Sequence, residues 1–237
     1  MAILMVSLAF FPVIYYYLSP YLIIQGATEG VVSGSFVVFI SMFVSSLVVG
    51  RAFCGWACPA GGLQRLCSKA NSRNFGEGRR DWTKYFIWVP WVGIITLMFT
   101  RAGGVRSIDL LYQTYYGISI QNTESLVLFF IIAGLIAALA LTAGKRAFCH
   151  YACWMAPFMI IGRRVRNLVR WPSLRLRADR HRCVDCKTCS KNCPMSLDVN
   201  RMVPSASMEN TECILCGTCV DNCPQGAIRY SFSPGLE

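Results

Sequence analysis

Two stretches near the end of the chain share one pattern: CVDCKTCSKNCP at Cys183–Pro194 and CILCGTCVDNCP at Cys213–Pro224. In each stretch three closely spaced thiolates can wrap one face of a compact inorganic core, while the fourth cysteine points away and must act elsewhere. The proline that follows prevents the chain from continuing as a helix beside that fourth cysteine. Eight of the 13 cysteines therefore lie in a short duplicated segment whose fold depends on what the thiolates bind.

The spacing C-x2-C-x2-C-x3-C-P is the one that ligates cubane iron–sulfur clusters, with the fourth cysteine of each run completing the other site. It predicts two [4Fe-4S] clusters, one held by Cys183, Cys186, Cys189 and Cys223 and the other by Cys213, Cys216, Cys219 and Cys193. Two zinc sites or a disulfide framework are the alternatives, but two complete copies with the proline disfavour both. We expect a C-terminal domain over residues 179–237, of which about 179–231 is similar to a bacterial two-cluster ferredoxin. That resemblance implies a compact α+β fold of two pseudo-symmetric halves.

A second repeat places RAFCGWAC at Arg51–Cys58 and RAFCHYAC at Arg146–Cys153. If a helix continues through each octet, its two cysteines share a face. Together the octets offer four thiolates, the number that holds a cubane or a two-iron cluster: Cys54, Cys58, Cys149 and Cys153. We expect a redox role and a third metal centre here, with Arg51 and Arg146 offsetting part of its negative charge. Two pairs of buried thiols, or two reversible disulfides, are the alternatives.

The rest of the chain has the composition of a membrane protein. Apolar residues make up 54% of the sequence, and mean hydropathy is +0.44. Four uncharged stretches approach the ~20 residues of a spanning helix: 3–24, 33–50, 85–100 and 125–144. We expect an α-helical membrane domain over 1–153 with four transmembrane helices in two repeated hairpins, each octet following the returning helix.

The charge distribution predicts an orientation. The net charge is +11, and the basic residues concentrate in 51–84 and 145–182, whereas the opposite loops hold only Arg101 and Arg106. The positive-inside rule then places both termini and the ferredoxin domain in the cytoplasm, on a multi-pass protein of the cytoplasmic (inner) membrane. Because the charge lies at the ends of spans, nucleic-acid binding is not expected. Residues 154–178 read as a basic amphipathic linker on the cytoplasmic leaflet.

The motifs FCGWACPAGGLQ and FCHYACW, with the spans and the paired cluster motifs, resemble the membrane-bound polyferredoxins. That family includes the quinol-dehydrogenase membrane subunit of periplasmic nitrate respiration, the membrane regulators of nitrous-oxide respiration, and the cytochrome oxidase assembly ferredoxin implicated in copper reduction. Cys54, Cys58 and Pro59 match its C-x3-C-P motif, whereas Trp154 replaces the proline of the second copy. The resemblance implies membrane electron transfer and names neither donor nor acceptor.

The function we expect is that of an electron-transfer subunit in a quinone-linked oxidoreductase complex, without a catalytic residue of its own. Its partners would be membrane lipid, other subunits, quinone and an extracytoplasmic redox protein. A second hypothesis is a copper-reducing assembly factor, since soft thiolates suit Cu(I); a third is a thiol-based redox sensor. His150 is expected at the interface or beside a metal centre, His181 at the surface, and Cys67 as a free thiol.

Overall fold

Helices form most of the chain in this computed structural model, which describes residues 2–74, 81–205 and 208–234. Six helices precede the first gap: α1 Ala2–Ala9, α2 Phe11–Ile14, α3 Pro20–Glu29, α4 Gly34–Val49, α5 Ala52–Trp56 and α6 Pro59–Cys67. Seven follow it: α7 Thr83–Arg101, α8 Thr123–Ala143, α9 Ala147–Tyr151, α10 Ala156–Leu168, α11 Thr188–Lys191, α12 Val199–Met202 and α13 Thr218–Asp221. Short 3₁₀ helices cover Tyr15–Leu18 and Arg180–Arg182.

The first predicted span, 3–24, is wrong as a single transmembrane helix. It breaks into α1, α2, a 3₁₀ turn and the beginning of α3. Two prolines cause the breaks, because each lies in the first turn of a helix, where its missing N–H costs nothing. Ser19, immediately before Pro20, is extended at φ −86° and ψ 125°, the conformation that a following proline imposes.

Two of the remaining predicted spans are long helices, α7 and α8. Both are long and apolar enough to cross a membrane, and only 17% of each apolar window is buried. The helix over 33–50, α4, has 16 residues and rises about 24 Å, less than the ~30 Å of a hydrocarbon core. Of the four expected spanning helices, two remain as candidates among the described residues.

The predicted linker packs into the protein. A methyl group at Gly162 would overlap the Ser46 hydroxyl, so α10 crosses α4 at close range. The guanidinium groups of Arg163 and Arg166, which we expected at the lipid surface, are 1% and 0% exposed. Both instead approach Glu209 of the C-terminal segment.

Two small sheets complete the fold. Strands β1 (Val31–Ser33) and β2 (Ser107–Asp109) pair in parallel. Strands β3 (Ser173–Ala178) and β4 (Ile228–Ser233) pair antiparallel over their whole length, from Ser173 opposite Ser233 to Ala178 opposite Ile228. The chain before the first cysteine run therefore pairs with the chain after the second run, and β3 belongs to the same sheet as the end of the ferredoxin-like segment.

Candidate iron-sulfur sites

The two octets fold into matching turns. The amides of Cys54 and Cys149 donate to the carbonyls of Arg51 and Arg146, both at 3.0 Å. The helices α5 and α9 then end at Trp56 and Tyr151, before the second cysteine of each octet. The helix therefore does not continue through both cysteines of either octet, and each pair spans a helix and the turn after it. The next helices begin around Pro59 and Pro157, and a proline is favoured in a first helical turn.

These turns bring the four octet cysteines together in the interior. Their exposed fractions are 4–5%. Burial raises the pKa of the Cys58 thiol well above its usual range, and the charges of the other three raise it further. Burial, Cys149 and Cys54 likewise raise the pKa of Cys153 to about 12. All six pairings among the four thiols are close enough for such an effect.

Two buried arginines supply positive charge to this thiol set. Arg51 and Arg146 are 0% and 2% exposed, and Arg146 Nη1 donates to the Cys54 carbonyl at 2.7 Å. Burial raises the pKa of Cys54, while both guanidinium groups lower it. Because metal-bound cysteines are thiolates, these cations favour the charge state that a metal centre requires.

The C-terminal cysteines line two cavities in the grouping that the spacing predicts. One small cavity is lined by Cys193, Cys213, Cys216 and Cys219. The other small cavity is lined by Cys183, Cys186, Cys189 and Cys223. The cysteine that precedes each proline thus joins the other run. Burial raises the pKa of Cys193 to about 12, and thiolate charge on Cys213 and Cys216 raises it as well.

The backbone around each cavity curls in the same way. Asp185 and Lys187 in the first run have φ of 55° and 58°, and Leu215 and Gly217 in the second have 50° and 78°. A Cβ at Gly217 would lie 2.7 Å from the Tyr230 hydroxyl, so this position is closed to larger side chains. Four soft sulfur donors around one small cavity, as in each of these two sites, fit an iron–sulfur cluster.

The first octet touches the second cysteine run directly. A Cβ on Gly55 would lie 2.5 Å from the Ile214 carbonyl oxygen and 3.1 Å from Cys216 Cα. Beside it, Trp56 Nε1 donates to the Leu215 carbonyl at 2.9 Å. Residues between Cys54 and Cys58 therefore form the contact between the octet thiols and the set that includes Cys216.

An ion-pair network secures the same junction. Glu212, next to Cys213, accepts from Arg51 Nη1 at 2.8 Å and from Lys84 Nζ at 2.5 Å. Burial alone would raise the pKa of Glu212, but Arg51 and Lys84 lower it to about 2. The carboxylate is therefore ionised at neutral pH. It attaches the C-terminal segment to the octet helix α5 and to the beginning of α7.

His150 lies beside this network and is 3% exposed. Its Nδ1 is 2.6 Å from Asp81 Oδ1, and ligand atoms of Asp81, His150 and Glu212 lie within 4.8 Å of one another. Both oxygens of Glu212 already accept from cations, which would repel a divalent ion, so we assign the group to ion pairing. No local signal in the sequence marks Glu212, Lys84 and Asp81, because these residues meet the octets only through tertiary packing.

His181 and Cys67 are the other residues that the sequence singles out. His181 is exposed, as predicted. Cys67 is half-buried and unbridged, and it lies outside both cavities' linings.

Comparison with known families locates the same segments. Residues 32–78 and 125–172 match the model of a 4Fe-4S binding domain, and 182–228 match that of a 4Fe-4S dicluster domain. Three segments of this chain are of 4Fe-4S type. Each match of the first model contains one octet, so the repeat that we found by inspection coincides with a repeated 4Fe-4S unit. The chain thus carries 4Fe-4S domains at both of its cysteine-rich regions.

Curated relatives are distant and longer. The chain is 25% identical to the "Putative electron transport protein YccM" of Escherichia coli (strain K12), over 81% of this chain and 54% of that protein. Two uncharacterized proteins of Methanocaldococcus jannaschii, MJ0749 and MJ0750, are 24% and 25% identical over 69% and 68% of this chain. The chain spans 54–65% of the length of these relatives. No solved structure matches.

Proposed function

We propose that this chain is a membrane electron-transfer protein with [4Fe-4S] clusters at the two C-terminal thiol sets and a third centre at the octet cysteines. The grouping of eight cysteines around two cavities supports the first part, and the buried set of four beside two arginines supports the second. A bound cluster supplies one-electron redox chemistry. The thiols hold it, the arginines balance its charge, and the surrounding apolar residues exclude water.

The contact at Gly55 is the main support for this proposal, because it joins the first octet to the thiol set that contains Cys216. That set exchanges one cysteine with the remaining set, so we propose that the three sets act in series. Cys186 of the first set is exposed, and Val184 beside it is 62% exposed, so this end is open to a soluble redox partner. The set containing Cys216 is more enclosed and touches the first octet. The octet thiols are the least exposed of the three sets. We therefore take them as the end of the series nearest to a membrane acceptor.

The surfaces of α7 and α8 support membrane integration. Large apolar side chains on both helices are exposed, among them Phe86 at 66%, Phe130 at 63% and Ile131 at 61%. The core helix of a water-soluble protein would bury such a face, whereas a bilayer covers it with lipid. We place the basic octets on the cytoplasmic side by the positive-inside rule. Quinone or an extracytoplasmic redox subunit is the proposed acceptor.

A second candidate function, copper reduction, has one observation in its favour. Met159 is fully buried, and its Sδ lies 3.9 Å from Cys54 Sγ. A thioether beside thiols is a soft donor set of the kind that selects Cu(I). Copper would then be the substrate of the octet site, and the C-terminal clusters would supply the electron.

Iron and acid-labile sulfide, measured on anaerobically purified full-length protein with EPR, test the main proposal. Three cubanes require about twelve irons per chain and two require about eight. We expect a variant with all four octet cysteines changed to serine to lose about four irons while both ferredoxin signals persist. The matched control, Cys67→Ser, should lose none.

Equal iron in the wild type and the four-serine variant would overturn the third centre. Copper titration then decides the alternative: tight Cu(I) binding that weakens in Met159→Leu, but not in Met42→Leu on α4, would favour copper reduction.

A further inference from the structure

A cavity without cysteines in its lining, of about 350 Å³, lies between the end of α6 and both cysteine runs. Its lining includes four basic side chains and no carboxylate; they are Arg65, Lys69, Lys145 and Arg146. The adjoining recess, of about 180 Å³, shares Arg65 and Arg146 but includes Asp221. The excess of positive charge is therefore greater in the larger cavity.

Arg65, Lys69 and Lys145 have no carboxylate partner within the described residues, and the acidic groups that Arg146 faces are the octet thiols. Lys145 Nζ donates to Asn74 Oδ1 at 2.9 Å and to the Lys191 carbonyl at 3.2 Å, and both acceptors are neutral. Arg146 is 2% exposed, and its Nε is buried without a hydrogen-bond acceptor. Like charges gathered around one partly enclosed space repel one another, and the repulsion is strongest where water is excluded.

The opposite wall adds neutral hydrogen-bonding groups. Asn192 comes from the first cysteine run, and Thr218 and Asn222 come from the second. A ligand in the cavity would therefore contact α6, the beginning of the second octet and the ferredoxin-like segment at the same time. Guanidinium and ammonium groups with hydroxyl and amide donors form the recognition set for phosphate oxygens.

We propose that this cavity binds a phosphate-bearing anion. Two sources share that chemistry. The headgroup of an anionic phospholipid is one, because Lys145 follows the end of the membrane-crossing candidate α8 at Ala143; this source rests on the proposed membrane placement. A soluble phosphate or pyrophosphate is the other. In both cases the anion relieves the repulsion among the four cations and ties α6 to the cysteine runs.

The test uses the full-length protein with its iron retained. Native mass spectrometry measures retention of phosphatidylglycerol against phosphatidylcholine, and titration with inorganic pyrophosphate in detergent measures the soluble source. The pocket variant is Arg65→Gln with Lys69→Gln. The control, Arg164→Gln with Arg170→Gln, removes the same charge outside the cavity. Iron content verifies that both variants are folded.

We expect wild-type and control proteins to bind one of the two probes, and the pocket variant to bind it at least about ten-fold more weakly, the usual effect of losing charge-assisted hydrogen bonds. Retention of phosphatidylglycerol alone identifies the lipid source, and pyrophosphate binding alone identifies the soluble one. Wild-type protein that binds neither probe, or a control variant that weakens as much as the pocket variant, overturns the proposal.

Discussion

The Lys84 ammonium and the Glu212 carboxylate lie 2.5 Å apart, with side-chain exposures of 0% and 9%. One belongs to the beginning of α7 and the other to the residue before Cys213. The second oxygen of Glu212 accepts from Arg51, the first residue of the first octet. A single carboxylate thereby connects a membrane-crossing candidate, an octet and a ferredoxin-type cysteine run.

Changing Glu212 to Gln should destabilise the protein strongly. Arg51 and Lys84 would remain buried without their counter-ion, a change that typically costs about 3–5 kcal/mol. Asp198→Asn is the control, since its ion pair with Arg201 is exposed and such pairs contribute about 0–1 kcal/mol. Thermal unfolding followed by circular dichroism measures both. Equal losses of stability in the two variants would show that the buried ion pairs of Glu212 contribute no more than the exposed pair of Asp198.

The same carboxylate predicts a pH dependence. Burial opposes ionisation of Glu212, yet Arg51 and Lys84 lower its pKa to about 2 from 4.5. A depressed acid pKa contributes stability above the unfolded-state value, and that contribution is lost as pH falls toward the folded-state value. The stability difference between wild type and Glu212→Gln should therefore be constant above about pH 5 and shrink between 4.5 and 2. A difference that grows on acidification contradicts this assignment.

Gly55→Ala should separate the octet thiols from the neighbouring cysteine run. Its methyl group would lie 2.5 Å from the Ile214 carbonyl oxygen, and overpacking of this kind costs about 1–3 kcal/mol. We expect full iron content but weaker magnetic interaction between the two centres by EPR. Gly134→Ala is the matched control, because a Cβ there meets nothing within 4 Å. An unchanged magnetic interaction in Gly55→Ala would contradict the proposed contact between the two centres.

Much of the site follows from residue spacing, because short motifs impose local geometry. The crossed grouping of Cys193 and Cys223 and the correspondence of the two octets were both visible in the repeats, whereas the turn that ends each octet helix was not. The break in the first span also had a local signal, Pro12 and Pro20, but the uncharged, apolar composition of the stretch favoured a single helix. The partners of Arg51 and Arg163 had none, because Glu212 and Glu209 reach them only through tertiary packing.

Cys193→Ser tests the crossed grouping of the C-terminal thiols. Cys193 lies in the first run but lines the cavity of Cys213, Cys216 and Cys219. The EPR spectrum of Cys193→Ser should therefore resemble that of Cys213→Ser and differ from that of Cys183→Ser. Cys67→Ser should match wild type. A Cys193→Ser spectrum that resembles Cys183→Ser instead means that each run closes its own site.

Leu135→Lys tests whether α8 crosses a membrane. Leu135 lies within α8 and is 54% exposed, so in water a lysine there would be harmless, whereas in hydrocarbon it would be expensive. A lysine near the centre of a spanning helix costs about 3 kcal/mol in insertion, or roughly a hundred-fold in the insertion equilibrium. Phe232→Lys is the control, since Phe232 is 64% exposed on β4, away from both long helices. We expect the Leu135 variant to leave the carbonate-washed membrane fraction and the Phe232 variant to stay there. Equal retention of the two variants would count against α8 as a transmembrane helix, because lysine at Leu135 is tolerated only where water reaches it.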